Sequence, residues 1–110
     1  YAMTYPNRAE SPAEPLDLLH CPPLTFAEPD RETFTCLALA EAAAREGGTA
    51  CAILNGANEE AVGLFLKDRI GFHDIARLVR RAREEVAVTA APTLEDILEA
   101  DQAARRSVLR

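Results

Sequence analysis

An all-α fold, a small bundle of about four helices preceded by an extended proline-rich linker, is what this sequence of 110 residues predicts. Three observations carry it. Six of the seven prolines, Pro6, Pro12, Pro15, Pro22, Pro23 and Pro29, fall in the first thirty residues, where they exclude helix interiors. From Asp30 onward apolar residues recur at three- and four-residue spacing, the period of an α-helix with one buried face. Caps and stops then help divide that stretch into four: Asp30, Gly47-Gly48, Thr49 and Pro92-Thr93. The predicted organisation is residues 1–29 as a connecting segment and 30–110 as a helical domain.

The connecting segment still carries Leu16, Leu18, Leu19, Leu24 and Phe26, which is too apolar for a disordered tail. An extended strap lying on a folded surface fits it better. The first helix is expected from Asp30, a good N-cap, to Glu46, with Phe34, Cys36, Leu37, Ala38, Ala40 and Ala44 as its apolar positions and Gly47-Gly48 as its stop. Thr49 is placed to cap the second, which runs to about Lys67. Its face of Ile53, Leu54, Ala57, Ala61, Leu64 and Phe65 is continued by Asn55, Asn58, Val62 and Leu66, so both amides are expected to be largely buried and hydrogen-bonded. Gly56 and Gly63 lie on one stripe of this helix, marking either a close backbone approach or a weak solvent edge.

The third segment, about Phe72 to Val86, is the most amphipathic: Phe72, Ile75, Ala76, Leu78, Val79, Ala82 and Val86 share a side opposite Arg77, Arg80, Arg81, Arg83, Glu84 and Glu85. Arg80 with Glu84 and Arg81 with Glu85 are one turn apart, which favours a solvated, self-paired face over a phosphate site. His73 and Asp74 sit in its first turn, where Asp74 complements the helix dipole. In the fourth helix Thr93 is the N-cap, and the expected apolar stripe of Leu94, Ile97, Leu98, Ala104 and Val108 contains Asp101, with Arg105 one turn later. That spacing predicts a half-buried structural ion pair rather than a general acid or base.

Composition narrows function by exclusion. Acidic residues outnumber basic ones 18 to 12, a net charge of -6, so nucleic acid and anionic membranes are disfavoured partners. Apolar runs are far shorter than a bilayer span, and the chain reads as soluble and cytoplasmic. Cys21, Cys36 and Cys51 have no metal-ligand or disulfide spacing and are expected as buried free thiols; His20 beside Cys21 makes a poor metal pair. No glycine-rich phosphate loop or nucleophilic triad can be assembled, so catalytic, cofactor and metal residues are all expected to be absent. Asn55, Asn58, Asp101 and Arg105 are instead the candidate structural polar positions.

One resemblance gives these pieces a context. Met3-Thr4-Tyr5-Pro6-Asn7-Arg8, Glu14-Pro15-Leu16-Asp17-Leu18, Leu24-Thr25-Phe26, Cys36-Leu37-Ala38-Leu39-Ala40, Leu54-Asn55-Gly56-Ala57-Asn58-Glu59, Phe72-His73-Asp74-Ile75 and Thr93-Leu94-Glu95-Asp96-Ile97-Leu98 occur in an order that strongly resembles the C-terminal third of 1-deoxy-D-xylulose 5-phosphate reductoisomerases. The resemblance implies an enzyme that isomerises and reduces its substrate to 2-C-methyl-D-erythritol 4-phosphate in the non-mevalonate route to isoprenoids. It implies NADPH and a divalent metal, Mg or Mn, held by residues upstream of this segment, and upstream catalytic and NADPH-binding domains as partners. A homodimer in the cytoplasm, or in the plastid of a plant, is also implied. Thr35, Cys51 and Gly56 depart from the family's usual proline, proline or threonine, and alanine. Tyr1 in place of an initiating Met favours a fragment of a longer polypeptide. The competing reading is an independent helical module whose strap or arginine face binds another protein.

Overall fold

A computed structural model describes residues 1–110. It contains four helices and no strand: α1 (Thr35–Glu46), α2 (Ala50–Phe65), α3 (Phe72–Glu85) and α4 (Leu94–Val108). The all-α expectation holds. Residues 1–34 form only turns and bends, and their large apolar side chains are exposed, Met3, Leu19 and Phe26 each above 90%. The radius of gyration, 19.6 Å, exceeds the about 13 Å of a compact 100-residue domain because this segment stands away from the helices.

Helix α1 starts five residues later than its sequence suggests. The Asp30 carboxylate accepts from the Glu32 and Thr33 amides at 3.1 and 2.9 Å, and its carbonyl accepts from the Phe34 amide. Those bonds close an isolated turn. Phe34, at φ -98° and ψ 63°, then leaves helical geometry, and the helix begins at Thr35. At the other end Gly47 and Gly48 both adopt positive φ, 74° and 56°, a conformation that other residues avoid. Thr49, expected as a cap, has helical backbone angles and makes no cap bond. Its hydroxyl instead accepts from the Thr89 amide at 3.0 Å, while the Thr89 carbonyl accepts from the Thr49 amide at 3.1 Å. This reciprocal pair fastens the α3–α4 loop to the α1–α2 turn.

Caps close α3 and α4 as their sequences predict. Asp74 accepts from the Gly71 amide at 2.9 Å, and Thr93 and Asp96 exchange bonds across the first turn of α4 at 3.2 and 2.8 Å. The core is drawn from three helices: Ile53, Ala57 and Ala61 of α2, Ile75, Leu78, Val79 and Ala82 of α3, and Ala100, Ala104 and Val108 of α4. Its alanines let the helix axes approach closely. Helix α3 runs antiparallel to α2, the two joined at one end by the Phe65–Phe72 edge-to-face contact and at the other by the Thr49–Thr89 pair. Helix α4 runs parallel to α2, with Asp101 beside Gly56 and Arg105 beside Glu59.

Two predicted faces are rotated. Asn55 is exposed and Asn58 only half-buried, because the stripe facing the core is Ile53, Ala57 and Ala61, with Asn58 turned to one side of it and Asn55 nearly opposite. In α4 the buried stripe is Ala100, Ala104, Ser107 and Val108, at i, i+4, i+7 and i+8. Leu94 and Leu98 fall on the neighbouring stripe with Asp101 and stay 65% and 55% exposed.

Candidate functional site

The largest polar constellation is a clamp between α2 and α4. Arg105 straddles Asp101, donating through Nε to one carboxylate oxygen at 2.8 Å and through Nη2 to the other at 3.2 Å. The same Nη2 reaches Glu59 at 2.6 Å, and the Asn55 amide donates to the second Glu59 oxygen at 3.2 Å. Arg105, and secondarily Asn55, holds the Glu59 carboxyl below its ordinary range. The Asp101 and Glu59 carboxylates in turn raise the Arg105 guanidinium above its ordinary value. Three of the four predicted polar positions therefore meet. Glu59, which joins them, was missed by sequence reasoning because it reads as an ordinary solvated helix residue. Asn58 is not among them; it faces α1 and α3 and makes no side-chain hydrogen bond.

Gly56 lies beneath the clamp. A Cβ there would stand 2.5 Å from Asp101 Oδ1 and 2.9 Å from the Asp101 carbonyl, so one of the two glycines does mark a close approach. Gly63 is the other case, since a Cβ at that position would meet nothing within 4 Å.

The arginine face of α3 is only partly solvated. Arg77 pairs with Asp74 at 2.8 Å, and this bond first, then the Gly71 amide, keeps the Asp74 carboxyl low. Arg81, 3.9 Å from Glu85, chiefly donates to the Ser107 carbonyl at 2.5 Å near the end of α4, an oxygen that also accepts from the Arg110 amide at 3.4 Å. Ser107 donates back to Glu85 at 2.7 Å. Arg83 bonds Glu46 at the end of α1. Arg81 and Arg83 are thus ties between helices. The one signal for this in the sequence was a serine within the α4 apolar stripe.

The thiols are not buried as expected: Cys21 and Cys51 are exposed and Cys36 is half-buried, its partial desolvation raising the thiol's pKa. Cys21 lies in the open N-terminal segment, and Cys51 sits on the outer side of α2 away from the alanine core. His20 donates toward Asp17 at 2.6 Å rather than pairing with Cys21, and this contact keeps the Asp17 carboxyl low.

No three His, Cys, Asp or Glu side chains converge as a metal set, and no helix is long and apolar enough to cross a membrane. The Asp101 and Glu59 carboxylates are both engaged by Arg105, and Gly48 lies against the Thr89 carbonyl instead of framing an open anion cradle. These residues do not fit a divalent metal or a dinucleotide. What the arrangement provides is rigidity between helices.

Residues 1–107 match the family described as the DXP reductoisomerase C-terminal domain. The chain belongs to that family. It is 52% identical over 106 residues to 1-deoxy-D-xylulose 5-phosphate reductoisomerase of Synechococcus sp. (strain JA-2-3B'a(2-13)), covering 96% of this chain and 27% of that protein. The enzyme of Cupriavidus metallidurans gives the same identity and coverage. Among solved structures, the Zymomonas mobilis reductoisomerase in complex with NADPH superposes with a TM-score of 0.80 at 38% identity, over 99% of this chain and 29% of that one. A DOX-P reductoisomerase in complex with NADPH, fosmidomycin and magnesium gives 0.82 at 38% identity, over 98% and 29%. The chain thus spans less than a third of the length of the reductoisomerases that it matches.

Proposed function

We propose that this chain is the supporting C-terminal domain of a reductoisomerase that converts 1-deoxy-D-xylulose 5-phosphate to 2-C-methyl-D-erythritol 4-phosphate in isoprenoid biosynthesis. NADPH and a divalent metal are held elsewhere in the polypeptide. The observation that carries this reading is the match of nearly the whole chain to the family's C-terminal domain, together with a polar inventory spent on joining helices. Residues 1–29 act as a connecting strap and residues 30–110 as the helical domain. The exposed Leu16, Leu18, Leu19, Leu24 and Phe26 fit a strap that lies against the upstream catalytic and NADPH-binding domains, since an apolar row of this kind gains by leaving water. Asn55, Asp101 and Arg105 are structural, fixing how α4 docks on α2. The whole enzyme works as a homodimer in the cytoplasm.

The test is to express the complete gene product and this chain separately and follow substrate-dependent NADPH oxidation. Turnover is expected from the complete protein with magnesium or manganese and none from the 110-residue chain. Turnover by the chain alone, or none by the complete protein, overturns the proposal. A coding sequence without upstream nucleotide-binding and metal-binding regions would favour an independent interaction module instead.

A further inference from the structure

A groove between the start of α1 and the first two turns of α3 has two compartments of opposite character. One, about 420 Å³, is walled by Glu32, Thr33 and Thr35 on one side and by His73, Arg77 and Arg80 on the other. The adjoining one, about 250 Å³, is lined by Phe34, Cys36, Val62, Phe72 and Ile75, with Asn58 in its wall. They share Thr33, Thr35, His73 and Ala76, so the cationic compartment opens directly onto the apolar one. Each is a few hundred Å³, near the size of small-molecule sites.

His73, Arg77 and Arg80 recur at i, i+4 and i+7 and lie on one stripe of α3. Arg80 makes no ion pair. Arg77 bonds Asp74 through Nη2 alone, which leaves its remaining N–H groups unengaged by that carboxylate. Two guanidiniums one turn apart match the roughly -1.5 to -2 charge of a phosphate monoester better than a single carboxylate. Glu32 on the far wall and Asp74, bonded to Arg77, oppose an anion here, so Arg80, which has no acidic partner, carries most of the attraction. Beside its apolar walls the second compartment offers the Asn58 amide, which makes no side-chain hydrogen bond, while its other polar groups, Thr33, Thr35 and His73, stand at the border with the first compartment.

We propose that this groove binds a small soluble amphiphile, a phosphate monoester of a short alkyl chain, with its phosphate on Arg77 and Arg80 and its chain against Phe34, Val62 and Phe72. The site is separate from the α2–α4 clamp and does not depend on the family's chemistry.

The probe is n-pentyl phosphate, titrated into the full 110-residue chain and followed by backbone amide chemical shifts, with inorganic phosphate and n-pentanol as head-only and tail-only controls. Pentyl phosphate is expected to bind about tenfold more tightly than inorganic phosphate, which burial of two methylenes supplies, with shifts centred on residues 33–36 and 72–80. Arg80→Glu and Phe34→Ser, both at exposed positions, should each weaken it about tenfold while leaving the melting temperature unchanged. Equal affinity for pentyl phosphate and inorganic phosphate, shifts elsewhere, or an unaffected Arg80→Glu variant would overturn the proposal. So would sedimentation with phosphatidic acid vesicles without binding of the monomeric probe, which would make the source a lipid headgroup.

Discussion

Adjacent glycines in the α1–α2 turn provide a stringent test of how the bundle is fastened. Gly47 and Gly48 both have positive φ, and Gly47, at ψ -154°, lies in a region essentially restricted to glycine, so alanine carries a backbone cost of about 1 to 3 kcal/mol at Gly47 and about 1 to 2 at Gly48. Their surroundings differ completely. A Cβ on Gly47 meets nothing within 4 Å, whereas one on Gly48 would stand 2.2 Å from the Thr89 carbonyl oxygen and 3.0 Å from Ala90 Cα. That carbonyl cannot retreat freely, because it accepts from the Thr49 amide at 3.1 Å while the Thr89 amide donates to Thr49 Oγ1 at 3.0 Å. Relieving the clash sacrifices both bonds, about 1 kcal/mol each, around a threonine that is 1% exposed. Gly48→Ala should therefore cost about 3 to 4 kcal/mol, and Gly47→Ala, with no clash to relieve, only its backbone cost of about 1 to 3. Urea unfolding followed by far-UV circular dichroism gives both costs directly, and the cost of about 3 to 4 kcal/mol at Gly48 amounts to about 12 to 32 °C in melting temperature for a domain of this size. A cost at Gly48 no larger than its backbone cost alone, about 1 to 2 kcal/mol, would refute the pinning of the α3–α4 loop to this turn.

Other substitutions probe the remaining ties. Gly63→Ala should stabilise by about 0.5 to 1 kcal/mol in the same unfolding assay, because it adds helix propensity where a Cβ meets nothing. Arg81→Met should cost about 1 to 2 kcal/mol and loosen the end of α4, seen as faster amide hydrogen exchange there, since the Ser107 carbonyl loses a charged donor. Asn58→Leu should leave stability unchanged within about 0.5 kcal/mol or raise it, because the amide has no partner to lose; a clear loss would place it in a polar network after all. The pH dependence follows from the carboxyls of Glu41, Glu59, Asp74 and Asp96. Arg31, Arg105, Arg77 and the Thr93 amide, in that order, hold them below their ordinary values of 4.5 for Glu and 3.8 for Asp. Near pH 4 the unfolded chain thus binds more protons than the folded one, so stability is complete above about pH 5 and is lost as pH falls through the depressed values. Added salt should flatten that decline; a decline that begins above pH 6 would point to other groups.

The candidate polar site was legible in part. Asp101 and Arg105 sit four apart on one helix, and such a pair is readable because both residues ride on the same rigid frame. Glu59 was not legible, since its bond to Arg105 spans 46 residues of sequence. The same holds for Arg81 and Arg83, whose nearest acidic residues in sequence suggested a self-contained face while their strongest bonds go to Ser107 and Glu46.

By itself the sequence determined the helical class, the Gly47-Gly48 stop, the Thr93 cap and the family, because periodicity, capping chemistry and local motifs act within a few residues of one another. Only the tertiary structure decided that α1 begins at Thr35, that Asn55 and Asn58 lie off the buried stripe rather than in it, and that Leu94 and Leu98 remain exposed. A helical period specifies which residues share a stripe. How far that stripe turns toward its neighbours is set by the partners that press on it, here the small side chains Ala57, Ala61, Ala82, Ala100 and Ala104, where the helices come close enough to fix their own rotation.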